Sequence, residues 1–174
     1  MTGVPTKVLV VEDEAVAAQV LVDEITAAPG FAVVGHTRSG ADALRQMVSN
    51  DDIDLVLLDI KAWDPERHRR LTGMDVGPTL TFARRLAARR RPVWVRYVLV
   101  PGLTDDFGEI QQIANYAADL GNVERVDVLP FHQMGRFKWH QLGLPYALEN
   151  VHPPENEAVE RACAVFRSAG LQAH

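Results

Sequence analysis

The sequence predicts an α/β fold in which five parallel strands, in the order 2-1-3-4-5, carry helices on both faces. Three observations lead there. Short apolar runs at Val8 to Val11, Phe31 to Val34, Leu55 to Leu58, Val93 to Val100 and Val126 to Leu129 alternate with stretches of helical periodicity. Each run is close to continuously apolar, as strands covered on both faces are. The pattern also stops at five βα units, enough for a doubly wound sheet, whereas a closed eight-stranded barrel needs about three more.

Taken in order, Val8-Leu9-Val10-Val11 is a buried strand that ends at the acidic cluster Glu12-Asp13-Glu14. A helix follows from Ala15 to Ala28 and is broken by Pro29-Gly30. After the second strand, Gly40 to Val48 reads as a helix, and Leu55 to Leu58 is the third strand. Pro65 to Leu71 suits a helical turn, and Pro78 stands near the start of a helix that runs to Arg90. The fourth strand stops at Pro101-Gly102. Asp105 or Asp106 then caps a helix whose apolar face is Ile110, Ile113, Ala114, Ala117 and Leu120, with Gly121-Asn122 as its stop. The fifth strand ends at Pro130, a long loop-like segment follows to Pro153, and Pro154-Glu155 opens a last helix to Ser168.

The chain has 174 residues, 47% of them hydrophobic, which suits one domain with a sizeable core. Its formal net charge of −5 argues against a nucleic-acid or anionic-membrane binder, whose affinity would rest on excess Lys and Arg. The basic run Arg84-Arg85 and Arg89-Arg90-Arg91 reads as the solvated face and C-terminal end of a helix. No stretch reaches the length of a membrane span and no leader is evident, so a cytoplasmic location is expected. The single cysteine, Cys163, excludes an internal disulfide or a Cys-only metal site within one chain. Its spacing with Val159, Ala162 and Phe166 marks it as a buried core thiol.

Glu12 and Asp13 close the first strand and Asp59 closes the third, its neighbour in this sheet, so three carboxylates converge. Packed without a cation they repel and raise one another's pKa, and a hard divalent ion is the natural resolution. Mg²⁺ suits the set, with the Lys61 backbone carbonyl and waters completing its shell. The alternative is that Glu12 to Glu14 only cap the first helix. The segment from Lys7 to Asp59 resembles the first half of a response-regulator receiver domain. That resemblance implies a flavodoxin-like fold, a metal site at Glu12, Asp13, Asp59 and Lys61, Asp59 as phosphoacceptor, and a histidine kinase as partner. Beyond Asp59 the pattern departs from the family. The fourth strand ends without the Ser or Thr the family carries there, Thr104 being too far along. Leu129 stands where a Lys is expected, and Val126 where an aromatic switch residue is expected.

The stretches Leu58-Asp59-Ile60-Lys61, Arg67 to Gly73, Val93 to Gly102, Asp119 to Glu124 and Leu129-Pro130-Phe131-His132 resemble the C-terminal half of the pyruvate formate-lyase activating enzymes. These belong to the radical S-adenosylmethionine family, and the resemblance spans Asp54 to His174. It implies that Asp59, Lys61, Arg96 and His132 descend from positions lining the S-adenosylmethionine side of a barrel, with Phe131 to Trp139 near a partner peptide. Read without it, Arg96 is a strand residue pairing with a carboxylate and His132 a loop hydrogen-bonder. Radical chemistry in that family needs an iron–sulfur cluster on a Cys-x-x-x-Cys-x-x-Cys loop, which this chain lacks.

The combined expectation is one hybrid domain, receiver-like over residues 1–59 and activase-like over residues 60–174. It reads as an engineered chimera, a de novo combination of fragments, with residual Mg²⁺ binding and weak phosphoacceptor capacity at Asp59. It is not an enzyme. The competing expectations are residual S-adenosylmethionine or peptide binding through Lys61, Arg96 and His132, a natural fusion serving as a phosphorelay receiver, and a bare structural role. Trp139, Leu142, Leu144 and Tyr146 offer an apolar patch that would pair two copies.

Overall fold

The computed structural model describes residues 4–12, 15–38, 40–49, 53–134, 136–141, 143 and 145–174. Its strands are β1 (Thr6–Val11), β2 (Phe31–Thr37), β3 (Leu55–Asp59), β4 (Val93–Leu99) and β5 (Val123–Pro130). Its helices are α1 (Ala15–Ala27), α2 (Gly40–Ser49), α3 (Pro65–Thr72), α4 (Gly77–Ala88), α5 (Phe107–Leu120), α6 (Arg136–Gln141) and α7 (Asn156–Ser168). The five strands form one parallel sheet in the order β2-β1-β3-β4-β5. This is the flavodoxin-like arrangement that the apolar runs predict.

Local chemistry sets the boundaries. Asp64 caps α3, its carboxylate accepting from the Arg67 N–H at 2.8 Å, and Asp106 caps α5 by accepting from Gly108 and Glu109. Of the two predicted caps Asp106 is the one used, while Asp105 accepts from the Gly102 N–H and shapes the preceding turn. Gly73 and Gly121 end α3 and α5 in the left-handed conformation, which costs glycine least. Gly35 stands where the β1–β2 register shifts between Val8 and Leu9, and a Cβ there would press into the Gln46 side chain and Leu9.

The helices divide unevenly between the two faces. On one face Leu9, Val11, Val56, Leu58, Val93, Val95, Tyr97, Val126 and Val128 meet apolar side chains from α2, α4, α5 and α7 in a continuous core. The opposite face holds a smaller cluster, in which Val8, Val10, Leu55 and Leu57 pack against Leu21, Val22 and Ile25 of α1. Trp94 sits at that cluster's margin, its ring edge-on to Phe31 at 5.9 Å and covered by Arg125 at 5.0 Å.

Helix α7 lies beside α5 because the chain goes on to another parallel partner. Val126 pairs with Ala173, and Val126 and Val128 donate to the carbonyls of Gln172 and His174 at 2.8 Å each. A same-handed crossover to a strand placed further outward keeps its helix on the same face. The predicted long loop after Pro130 contains α6, and Gln133 fastens it by donating to the carbonyls of Leu148, Glu149 and Val151. Trp139 and Tyr146 pack ring to ring at 5.8 Å, whereas Leu142 and Leu144 of the predicted patch lie outside the described residues.

Candidate functional site

Register places a row of charged residues across the C-terminal edge of the sheet. Val11 pairs with Leu58, so Glu12 stands beside Asp59; Asp59 pairs with Arg96, and Arg96 with Asp127. The row lies on the α1 side, because the flanking Leu58, Val95, Tyr97, Val126 and Val128 all point into the larger core.

Lys61, two residues beyond β3, turns back into this row. Its Nζ donates to Asp59 Oδ2 at 2.6 Å and to Glu12 Oε2 at 3.4 Å. Arg96 Nη1 lies 3.4 Å from Asp59 Oδ1 but makes no hydrogen bond. The carboxylates are the more deeply buried partners, with side-chain exposures of 1% for Glu12 and 8% for Asp59 against 23% for Lys61 and 16% for Arg96. Burial pushes the Asp59 carboxyl up. The Lys61 ammonium and the Arg96 charge outweigh it and hold Asp59 below the ordinary carboxylate range.

The convergence of Glu12 with Asp59 matches expectation, and so does the pairing of Arg96 with a carboxylate. Asp13 lies outside the described residues. Among the described residues no group of three His, Cys, Asp or Glu side chains is placed to hold a metal ion. The described donors for a divalent cation are Glu12 and Asp59, and the Lys61 ammonium stands between them. The pair therefore suits such a cation only with Lys61 withdrawn. The sequence singled out the Lys61 backbone carbonyl, whereas it is the side chain that reaches the carboxylates.

His132 stands apart from the row. It lies beyond β5, exposed, its Nδ1 accepting from the Met134 N–H at 3.4 Å, in keeping with a loop hydrogen-bonder. Thr104 is buried, donating to the Val98 carbonyl and accepting from the Val100 N–H, each at 2.7 Å, so its hydroxyl serves the turn after β4. Cys163 is buried on α7, and burial pushes its thiol pKa up. Two members of the site's surroundings were missed. Asp127 ends the charged row and binds Arg125 at 2.6 Å; the alternation Arg125, Val126, Asp127, Val128 was its signal. Glu109 accepts from the backbone N–H groups of Trp63 and Asp64, and nothing local in the sequence marks it.

No protein-family model matches the chain. Over 109 residues, 63% of its length, it is 49% identical to the pyruvate formate-lyase-activating enzyme of Staphylococcus epidermidis. That match covers 43% of the relative, so the chain spans less than half the length of the curated relatives it matches. Among solved structures, a domain of a pyruvate-formate lyase-activating enzyme from Bacteroides vulgatus covers 95% of this chain and 96% of its own, with a TM-score of 0.64 at 18% identity. A chain of the complex between the P1 domain of CheA3 and CheY6 from R. sphaeroides covers 81% of this chain and 96% of its own, with a TM-score of 0.53 at 23% identity. At such identities both likenesses bear on the fold alone. The chain is thus similar in sequence to activating enzymes and in fold to both an activating-enzyme domain and a receiver complex, the combination expected of a hybrid.

Proposed function

We propose that this chain is a non-catalytic hybrid, an engineered chimera of receiver and activase fragments, with a weak ion site at its sheet edge. The site would take Mg²⁺ at Glu12, Asp13, Asp59 and the Lys61 carbonyl, and Asp59 would be a weak phosphoacceptor. The observation that carries this reading is the Lys61 ammonium bridging Glu12 and Asp59. Two buried carboxylates at adjacent strand ends need a cation, and here the chain supplies one of its own. An added divalent ion has to displace a tethered ammonium, which lowers its apparent affinity. The same contacts blunt Asp59 as a nucleophile, since Lys61 holds one oxygen and Arg96 flanks the other.

The non-catalytic part of the reading rests on cysteine chemistry. A four-iron cluster of the radical type takes three converging thiolates, and this chain carries Cys163 alone.

Thermal melts with and without Mg²⁺ test the proposal. A small upward shift is expected in the wild type, and a larger one in Lys61→Met, where the competing ammonium is gone. No shift in either protein, or an equal shift in Asp59→Ala, overturns the site.

A second reading, S-adenosylmethionine or partner-peptide binding without catalysis through Lys61, Arg96 and His132, is favoured by the 49% identity over 109 residues. Against it, Lys61 and Arg96 already face Asp59, and His132 bonds within its own loop. Calorimetric titration with S-adenosylmethionine separates the two. Binding that survives Asp59→Ala but is lost in Arg96→Ala would favour the second.

A further inference from the structure

We infer that Glu109 is the positioning residue that keeps Lys61 on the Asp59–Glu12 pair, acting through the backbone of the β3–α3 loop. The inference deepens the reading of the sheet-edge site and rests on it, but concerns a residue on a different helix.

Lys61 lies in a loop pinned on both sides. Before it, the Ile60 N–H donates to the Arg96 carbonyl at 3.2 Å. After it, the N–H groups of Trp63 and Asp64 both turn toward the Glu109 carboxylate, at 2.9 Å to Oε2 and 3.1 Å to Oε1. A carboxylate accepting two backbone N–H bonds is a stronger anchor than a neutral acceptor. The Trp63 ring adds a contact with Tyr116 of α5, at 5.5 Å between centroids.

Glu109 is itself fixed, because its interactions close a ring. The Glu109 carboxylate holds the Asp64 N–H. The Asp64 carboxylate accepts from the Arg67 N–H at 2.8 Å as the cap of α3. The Arg67 guanidinium reaches Asp106 at 3.6 Å, and the Asp106 carboxylate accepts from the Glu109 N–H at 3.1 Å as the cap of α5. The N-termini of α3 and α5 are thereby interlocked, and the loop carrying Lys61 is one side of the lock. Half-buried Lys61 is a long, flexible side chain whose ordering costs rotamer entropy. Holding its backbone in place makes its 2.6 Å contact with Asp59 the favoured one.

The test reads Lys61 directly and uses no metal, so its failure is distinct from failure of the Mg²⁺ melts. The full chain is acetylated briefly with an N-hydroxysuccinimide ester, and Lys61 modification is measured by peptide mass spectrometry relative to Lys7. In the wild type Lys61 should react slowly, its Nζ being engaged by Asp59 at 2.6 Å and Glu12 at 3.4 Å. Glu109→Ala should raise the Lys61-to-Lys7 ratio about fivefold, in line with the loss of a charge-assisted acceptor. Glu109→Gln, which removes the charge but keeps one oxygen that can stand where Oε2 reaches both N–H groups, should fall between the wild type and Glu109→Ala. A purely electrostatic effect of Glu109 would move the Gln and Ala variants equally, and that result overturns the inference. So does an unchanged ratio in Glu109→Ala with native near-ultraviolet circular dichroism. If Glu109→Ala fails to fold, Arg67→Ala opens the same ring at its longest link, and an unchanged Lys61 ratio there overturns it too.

Discussion

The two halves of this sheet solve the same packing problem differently. In the N-terminal half α1 and α2 take opposite faces, and β1 and β3 are buried on both sides by α1 and by the larger core. In the C-terminal half α4, α5 and α7 all lie on one face. The residues of β4 and β5 that point the other way, Trp94, Arg96, Val98, Arg125, Asp127 and Leu129, are only half-buried. A strand can afford charge on its second face only where no helix dehydrates it. The first half behaves as a doubly wound sheet, the second as a singly wound one that continues outward through Gln172 to His174. The charged row from Glu12 to Asp127 crosses the boundary between them.

The largest effect should come from moving charge to the wrong face of the second half. Val126 is fully buried in the larger core, one residue from the charged Arg125 and Asp127. Val126→Asp places an unpaired carboxylate there and should cost about 4 kcal/mol or more, enough to unfold a protein of ordinary stability. Urea denaturation followed by circular dichroism measures it. A loss below about 1 kcal/mol would mean that both faces of β5 are wet.

The next largest effect concerns the boundary. Asp59→Asn leaves Lys61 and Arg96 facing a neutral amide and should cost about 2 kcal/mol near neutral pH. The pH dependence has a definite sign. Because the folded state holds the Asp59 pKa below its usual value, the carboxylate contributes stability that is complete above about pH 4 and is lost as pH falls through the folded value. The wild type and Asp59→Asn should therefore converge in urea midpoint on going from pH 7 to strongly acidic buffer. A gap that stays constant would remove the ion pair from the account.

Much of the architecture was legible because it depends on continuous apolar runs, and the five strands sit where those runs are. What escaped was set by partners distant in sequence. The C-terminal pairing of Ala173 with Val126 involves no apolar run, and β2 extends past Val34 to Thr37 because β1 supplies a ladder for it. The uneven faces follow from where α7 lands, which periodicity does not encode. At the site, strand ends revealed that Glu12 and Asp59 converge. They did not reveal that the Lys61 side chain folds back between them, since side-chain direction in a loop has no periodic signature. β5 runs on past the charged row to Pro130, and His132 follows its end.

The smallest effect should be found on the open face of β4 and β5, where it sharpens the contrast with Val126. Arg125 lies over the Trp94 ring and pairs with Asp127, but its side chain is 42% exposed. Exposed ion pairs contribute little, and a cation over a ring at such a site adds about 0.5 to 1 kcal/mol. Arg125→Ala should accordingly cost about 1 kcal/mol or less by urea denaturation while shifting Trp94 fluorescence, because the ring loses its cover and gains water. Most of that cost should come from the stem methylenes packed on the indole, so Arg125→Met should recover part of it without restoring the charge. If Arg125→Ala instead costs as much as Asp59→Asn, the second face of β5 is closed and the two halves of the sheet are built alike.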